Sequence, residues 1–191
     1  MLMKGDVEVK TTSSGIGRAI LRKLAGGENF FFNILRAHSS AEIWLVPETP
    51  GDIEAIELRD DEWLIQDTSY LAHDGDVEVS AGFHGIRGFI AEGELFWLKT
   101  SGRGTVWINS YGGIERVEVP PGEKVIVDNF HFVAMPAFTR CNVRKIGGLK
   151  TLVFGGEGLA IEAEGPTILY LQTRTLLPLA RLLAKFLPRR G

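Results

Sequence analysis

The sequence predicts an all-β chain in which one antiparallel module is written three times and rolled about a pseudo-threefold axis into a closed, barrel-like structure. Three observations carry that expectation. "GDVEV" occurs at residues 5–9 and again at 75–79, with "CNVRK" at 141–145 as a degraded third copy. Gly-Glu followed by an apolar strand recurs at Gly27-Glu28, Gly93-Glu94 and Gly156-Glu157. An aromatic flanked by aliphatics then follows each, as Ile43-Trp44-Leu45, Val106-Trp107-Ile108 and Leu169-Tyr170-Leu171, at two equal intervals of 63 positions (107 − 44 and 170 − 107). Equal intervals ending on one motif argue for a repeat, and rolling hides edges that would invite aggregation. Trp44, Trp107 and Tyr170 are therefore expected at equivalent strand positions, packed in the core.

The first copy spans about residues 1–58. By the period, about 18 residues of leading hairpin should precede Met1. An unpaired sheet edge is thus expected near residues 5–10, which favours oligomerisation. The stretch "TTSSGIGRAI" at 11–20 imitates the glycine turn of a dinucleotide fold. That turn needs a buried parallel strand before it, whereas "GDVEVK" alternates like a half-exposed antiparallel strand. Thr11 stands where the first glycine belongs, and no Tyr-x-x-x-Lys pair exists. A loop followed by one short helix over residues 18–25, stopped by Gly26 and Gly27, is expected instead.

The second copy (about 59–119) and third (about 120–174) share a further register mark. "DEWLIQDTSYLA" at 61–72 aligns with "GEKVIVDNFHFV" at 122–133, matching Glu62 to Glu123 and Asp67 to Asp128. "INSYGGIERV" reads as a hairpin, with Gly112 and Gly113 supplying positive φ. The tail, residues 175–191, is a basic amphipathic helix: Leu176, Leu179, Ala180, Leu183 and Leu187 fall at helical spacing. Pro178 is tolerable in a first turn, and Leu177, Leu182 and Phe186 widen the apolar face. No acid follows Glu164, while Arg174, Arg181, Lys185, Arg189 and Arg190 do.

Composition narrows the function. With 191 residues, 45% hydrophobic, the chain can bury roughly 70% of its unfolded surface without a metal or disulfide staple. The single cysteine, Cys141, leaves no disulfide partner and fits a reducing, cytoplasmic compartment. No secretory signal and no spanning apolar run is present. A net charge of −3 disfavours nucleic acid, which needs a basic face. The four histidines His38, His73, His84 and His131 include no His-x-His pair, so a cupin-type metal centre lacks its ligands and turn or surface positions are expected. Glu28, Glu94 and Glu157 are expected at turn entries facing water. Cys141 is expected to be a buried, inert thiol. No nucleophile elbow and no Ser-x-x-Lys occurs. No catalytic residue, metal ligand or cofactor is therefore assigned.

At "GGLKTLVFGGEGLAIEAEGPTILYLQTR", residues 147–174, the chain resembles an uncharacterised family named for altered inheritance of mitochondria in yeast. "GDVEVKT", "GGENFFFNILRA" and the Pro-Gly-Glu at 121–123 are similar to that family too, so the resemblance covers residues 4–174. It implies a double-stranded β-helix, similar to the tryptophan RNA-binding attenuation protein, and homo-oligomers; it implies no catalytic residues. Members usually begin with a hairpin ending in "PGAMVYM", from which this chain departs. The expected function is that of a non-enzymatic homo-oligomeric scaffold or binding protein, with a trimer as the expected size. The tail residues Leu176, Leu179, Arg181, Leu183, Lys185, Phe186, Leu187, Arg189 and Arg190 are expected to pack between subunits, or alternatively to lie on an anionic membrane. A cupin-like metalloenzyme and an RNA-binding protein, the latter by analogy of fold, are the rival expectations.

Overall fold

The computed structural model describes residues 1–12, 32–82, 97–145 and 159–187. The glycine stretch from Ser13, the helix expected over residues 18–25, His84, Glu28, Glu94, Glu157, Arg189 and Arg190 lie outside them. Within them the chain is all-β with one α-helix. The strands are β1 (Leu2–Lys4), β2 (Val7–Thr12), β3 (Phe32–Ala37), β4 (Glu42–Trp44), β5 (Ile53–Gln66), β6 (Tyr70–Ala81), β7 (Trp97–Asn109), β8 (Ile114–Val119), β9 (Lys124–Asp128), β10 (Phe132–Pro136), β11 (Arg140–Lys145), β12 (Leu159–Glu164) and β13 (Thr167–Gln172), followed by α1 (Leu176–Ala184).

These strands form four open sheets, not the closed barrel that the repeat predicts. A six-stranded sheet runs β6-β7-β5-β10-β13-β8, a three-stranded one β11-β12-β9, and two pairs are β1-β4 and β2-β3. Proline explains part of the division. β5 and β7 run unbroken for 14 and 13 residues and pair along their length. The corresponding legs β8/β9 and β12/β13 are cut at Pro120, Pro121 and Pro166, residues without an N–H to give a ladder. Their halves therefore join different sheets: β8 pairs with β13, and β9 with β12.

Pairing registers tie the aromatic strands to the sequence pattern. Trp44 faces Leu2, Trp107 faces Ala72, and Tyr170 faces Ala134. On their other sides Trp107 faces Ala55 and Tyr170 faces Arg116, while β4 has no second neighbour among the described residues. The three valine strands also find comparable partners, with Val9 opposite Leu35, Val79 opposite Thr100, and Val143 opposite Ile161. Burial separates the aromatics, however. Tyr170 is buried and packs 5.8 Å from Trp63, Trp107 is half-buried, and Trp44 is 58% exposed. The expected common burial of the three therefore fails at Trp44, in the short β1-β4 pair, which has no third strand among the described residues.

Two one-turn 3₁₀ helices, Asp67–Ser69 and Asn129–His131, follow β5 and β9. Their flanking residues, Gln66 with Asp128 and Tyr70 with Phe132, adopt nearly the same φ and ψ. The structural correspondence is thus 62 residues, one more than the alignment that matched Asp67 to Asp128. The two turns bury different positions, Ser69 at the end of the first and Asn129 at the start of the second.

"INSYGGIERV" is not a hairpin. β7 and β8 are separated by β5, β10 and β13 in the sheet, and only Gly112 has positive φ. The turn is instead sewn to the segment entering β5. Gly112 N–H donates to the Pro50 carbonyl at 3.0 Å, Asp52 N–H to that of Gly112 at 3.0 Å, and Ile114 N–H to Asp52 Oδ2 at 3.2 Å. A single bulge organises the core beside it. Along β5 the buried positions are Ile56 and Leu58, then Trp63 and Ile65. The change from even to odd follows from the extra residue at Asp60, which has φ 63° and interrupts the pairing with β7. All four pack in one cluster with Val106, Ile108, Val133 and Tyr170. A second cluster joins Trp97, Val119, Phe132, Met135, Leu159, Ile161 and Leu169.

Candidate interaction surface

No described residue before Ile56 is buried. β1 to β4 and the residues just after them instead present Leu2, Met3, Val9, Ile34, Trp44 and Val46 at 42–63% exposure. Sequence reasoning placed Trp44 in the core and missed this face. Leu2 and Trp44 are register partners on one side of the β1-β4 pair, and Met3 lies with Ile43 on the other. Glu42 Oε1 accepts the Trp44 indole N–H at 2.6 Å, holding a carboxylate beside the ring.

The second exposed apolar surface is α1. Leu176 (54%), Leu183 (51%), Phe186 (79%) and Leu187 (65%) stand open, with Arg181 and Lys185 also exposed. Leu177 and Leu179 are half-buried, and no residue of α1 is fully buried. With 100° per residue, Arg181 and Lys185 fall within one narrow strip and the leucines occupy the rest of the circumference. The helix base, by contrast, is hydrogen-bonded to the turn at 111–113. Thr173 N–H donates to the Gly113 carbonyl at 3.0 Å, Arg174 N–H to that of Tyr111 at 3.2 Å, and Gly113 N–H to Thr173 Oγ1 at 2.8 Å. Gln172 locks the layer beneath: its Oε1 accepts from Tyr111 N–H and its Nε2 donates to the Phe130 carbonyl at 2.6 Å, while its own carbonyl lies 2.6 Å from His131 Nδ1. An apolar helix on a fixed stalk suits contact with something outside the chain.

Chemistry-bearing side chains do not converge. Among the described residues no three His, Cys, Asp or Glu are placed to hold a metal ion. His38 is exposed, 3.5 Å from Glu8, and burial pushes the half-buried Cys141 thiol up, away from reactive thiolate. No helix of the described residues is long and apolar enough to cross a membrane. One polar pair stands apart. Tyr70 Oη lies 2.5 Å from His73 Nδ1, with Phe32 edge-on to the phenol ring at 5.8 Å. Burial pushes the phenol up to about 12 and pushes the imidazole down, so both partners of this hydrogen bond are held in their neutral forms at neutral pH. The phenol's folded value lies above the unfolded value of about 10, so the stability it contributes is whole below pH 10 and is lost as pH rises towards 12. Absorbance at 295 nm should show a tyrosine ionising near pH 12, or only with alkaline unfolding, whose signal Tyr70→Phe removes. A titration curve that Tyr70→Phe leaves unchanged at that pH would contradict it.

Known proteins agree with this architecture. An uncharacterised protein of Streptococcus pyogenes serotype M6 is 31% identical over 188 residues, covering 96% of this chain and 75% of the relative. A structural-genomics crystal structure of another S. pyogenes protein superposes with a TM-score of 0.78 at 26% identity, covering 97% of this chain and 85% of that one. The family model described as Mitochondrial biogenesis AIM24 matches residues 1–174, and the chain belongs to that family.

Proposed function

We propose that the chain is a non-catalytic, homo-oligomeric scaffold or binding protein, built from three copies of one antiparallel module whose first copy is covered by a neighbour. The observation that carries this reading is the register set Leu2–Trp44, Ala72–Trp107 and Ala134–Tyr170 combined with the bare outer side of β4. In the second and third copies the aromatic strand has a neighbour on each side, β5 or β8 completing it. In the first, no strand among the described residues takes the position that β5 and β8 occupy elsewhere. The double-stranded β-helix arrangement is the form that three such modules take when each is completed, and a trimer is the expected assembly. Open strand edges and an uncovered apolar face are what soluble chains hide by association. Light scattering on the purified chain should return a mass near three times that of one chain, invariant on tenfold dilution from micromolar concentration. A single-chain mass overturns the reading.

A further inference from the structure

We propose that α1 docks the chain on a bilayer surface that carries anionic lipid. From Leu176 to Leu187 every residue other than Arg181 and Lys185 is apolar. Leu177 and Leu179, in the first turn, are half-buried, but every residue from Ala180 to Leu187 is exposed. That exposed stretch has two sides. At about 100° per residue, Leu182, Phe186, Leu183 and Leu187 fall within an arc of about 140°, and Arg181 and Lys185 within about 40° on the opposite side. Charge names the occupant. All 24 Asp and Glu lie in residues 1–164 with 16 of the 21 Lys and Arg, a net −8, whereas residues 165–191 hold the other five cations and no acid. An anionic surface therefore repels the body of the chain and attracts its tail, which decides the end that approaches. Apolar width favours lipid over a protein groove. A groove covers one stripe of a helix, about 100° wide, whereas the apolar positions from Leu176 to Leu187 span about 220°. A groove would leave much of that arc wet, and hydrocarbon closes around all of it. At nine residues α1 is about 13 Å long against a hydrocarbon core of about 30 Å, so it lies in the interface and does not cross. Sunk roughly 5–10 Å into that interface, a helix about 10 Å across carries Arg181 and Lys185 on its upper side, level with the lipid phosphates.

Flotation of the full chain tests this with vesicles of phosphatidylcholine alone and of phosphatidylcholine mixed with phosphatidylglycerol. Wild type should float with the mixed vesicles and stay behind with the neutral ones. Arg181→Gln combined with Lys185→Gln should weaken partition onto the mixed vesicles about 30-fold, at roughly fivefold per cation. Phe186→Ser should weaken it at least about tenfold through lost apolar burial. All three side chains are exposed, so circular dichroism and the thermal midpoint should stay at wild-type values; Phe186→Ala stands in if Phe186→Ser unfolds. A wild-type chain that does not float, that floats equally with neutral vesicles, or whose variants float unchanged overturns the lipid docking. Light scattering without vesicles tests a protein occupant instead: a Phe186→Ser chain of lower mass than wild type places α1 between copies and also overturns it. The mass of wild type alone tests the oligomer, so either reading can fail while the other stands.

Discussion

Replacing Phe132 by alanine is expected to lower the unfolding free energy by about 3–5 kcal/mol, a large fraction of the roughly 5–15 kcal/mol that holds a domain of this size. Phe132 is 0% exposed and lies on β10, whose five residues are all buried. Its ring packs 4.8 Å from that of Trp97 and sits in the cluster that brings together Met135, Leu159, Ile161 and Leu169. Those partners come from β7, β10, β12 and β13, elements of two different sheets. A void at Phe132 therefore cannot be closed by one strand moving inwards, and collapse would disturb pairing on two ladders. Urea unfolding followed by tryptophan fluorescence measures the loss. Trp44→Ala on the same chain is the contrast: at 58% exposure it should cost less than about 1 kcal/mol while removing much of the association. A Phe132→Ala variant as stable as wild type would mean that the two sheets do not share this core.

Much of the β architecture was legible because the signals were local or periodic. The valine strands, the aromatic strands and the turns before Tyr70 and Phe132 all lie where short-range pattern puts them. What failed depends on non-local partners. "INSYGGIERV" has every residue of a tight hairpin, yet Asp52 and Pro50 capture its turn from 62 residues away, and β8 pairs with β13. The alignment of Asp67 with Asp128 maximised identities, whereas the backbone places Gln66 against Asp128. Trp44 shows the same limit at the candidate site. Its strand, spacing and cross-strand neighbour follow from the repeat, but burial requires a covering strand, and its presence is a fact about other segments. The helix α1 was legible as amphipathic from spacing alone. That its base is tied by backbone hydrogen bonds while Leu176, Leu183, Phe186 and Leu187 stay exposed is a tertiary property of Thr173, Arg174 and the 111–113 turn.

Gly102→Ala should destabilise the chain by roughly 3 kcal/mol, combining positive-φ strain with overpacking in mid-sheet. Three adjacent strands bend along one line: β6 at Gly75 (φ 93°), β7 at Gly102 (φ 113°) and β5 at Asp60 (φ 63°). Gly75 faces Gly104, and Gly102 faces Val77 on one side and Asp61 on the other. The bend lets β5 and β7 contribute to both core clusters without the proline breaks that divide β8/β9 and β12/β13. A Cβ on Gly102 would come within 2.2 Å of the Asp76 carbonyl oxygen, a backbone atom held in the β6 ladder. Relief requires β6 to move away from β7 or the bend to flatten, and either disturbs the pairing at Val77. Gly122→Ala separates the two contributions. That residue has φ 83° but nothing within 4 Å of the added carbon, so it should cost only the left-handed strain of about 1–2 kcal/mol. Denaturant midpoints of the two variants measure the difference. Equal midpoints would show that β6 yields freely at Gly102, and that the line of bending is not what fixes the third strand of this sheet.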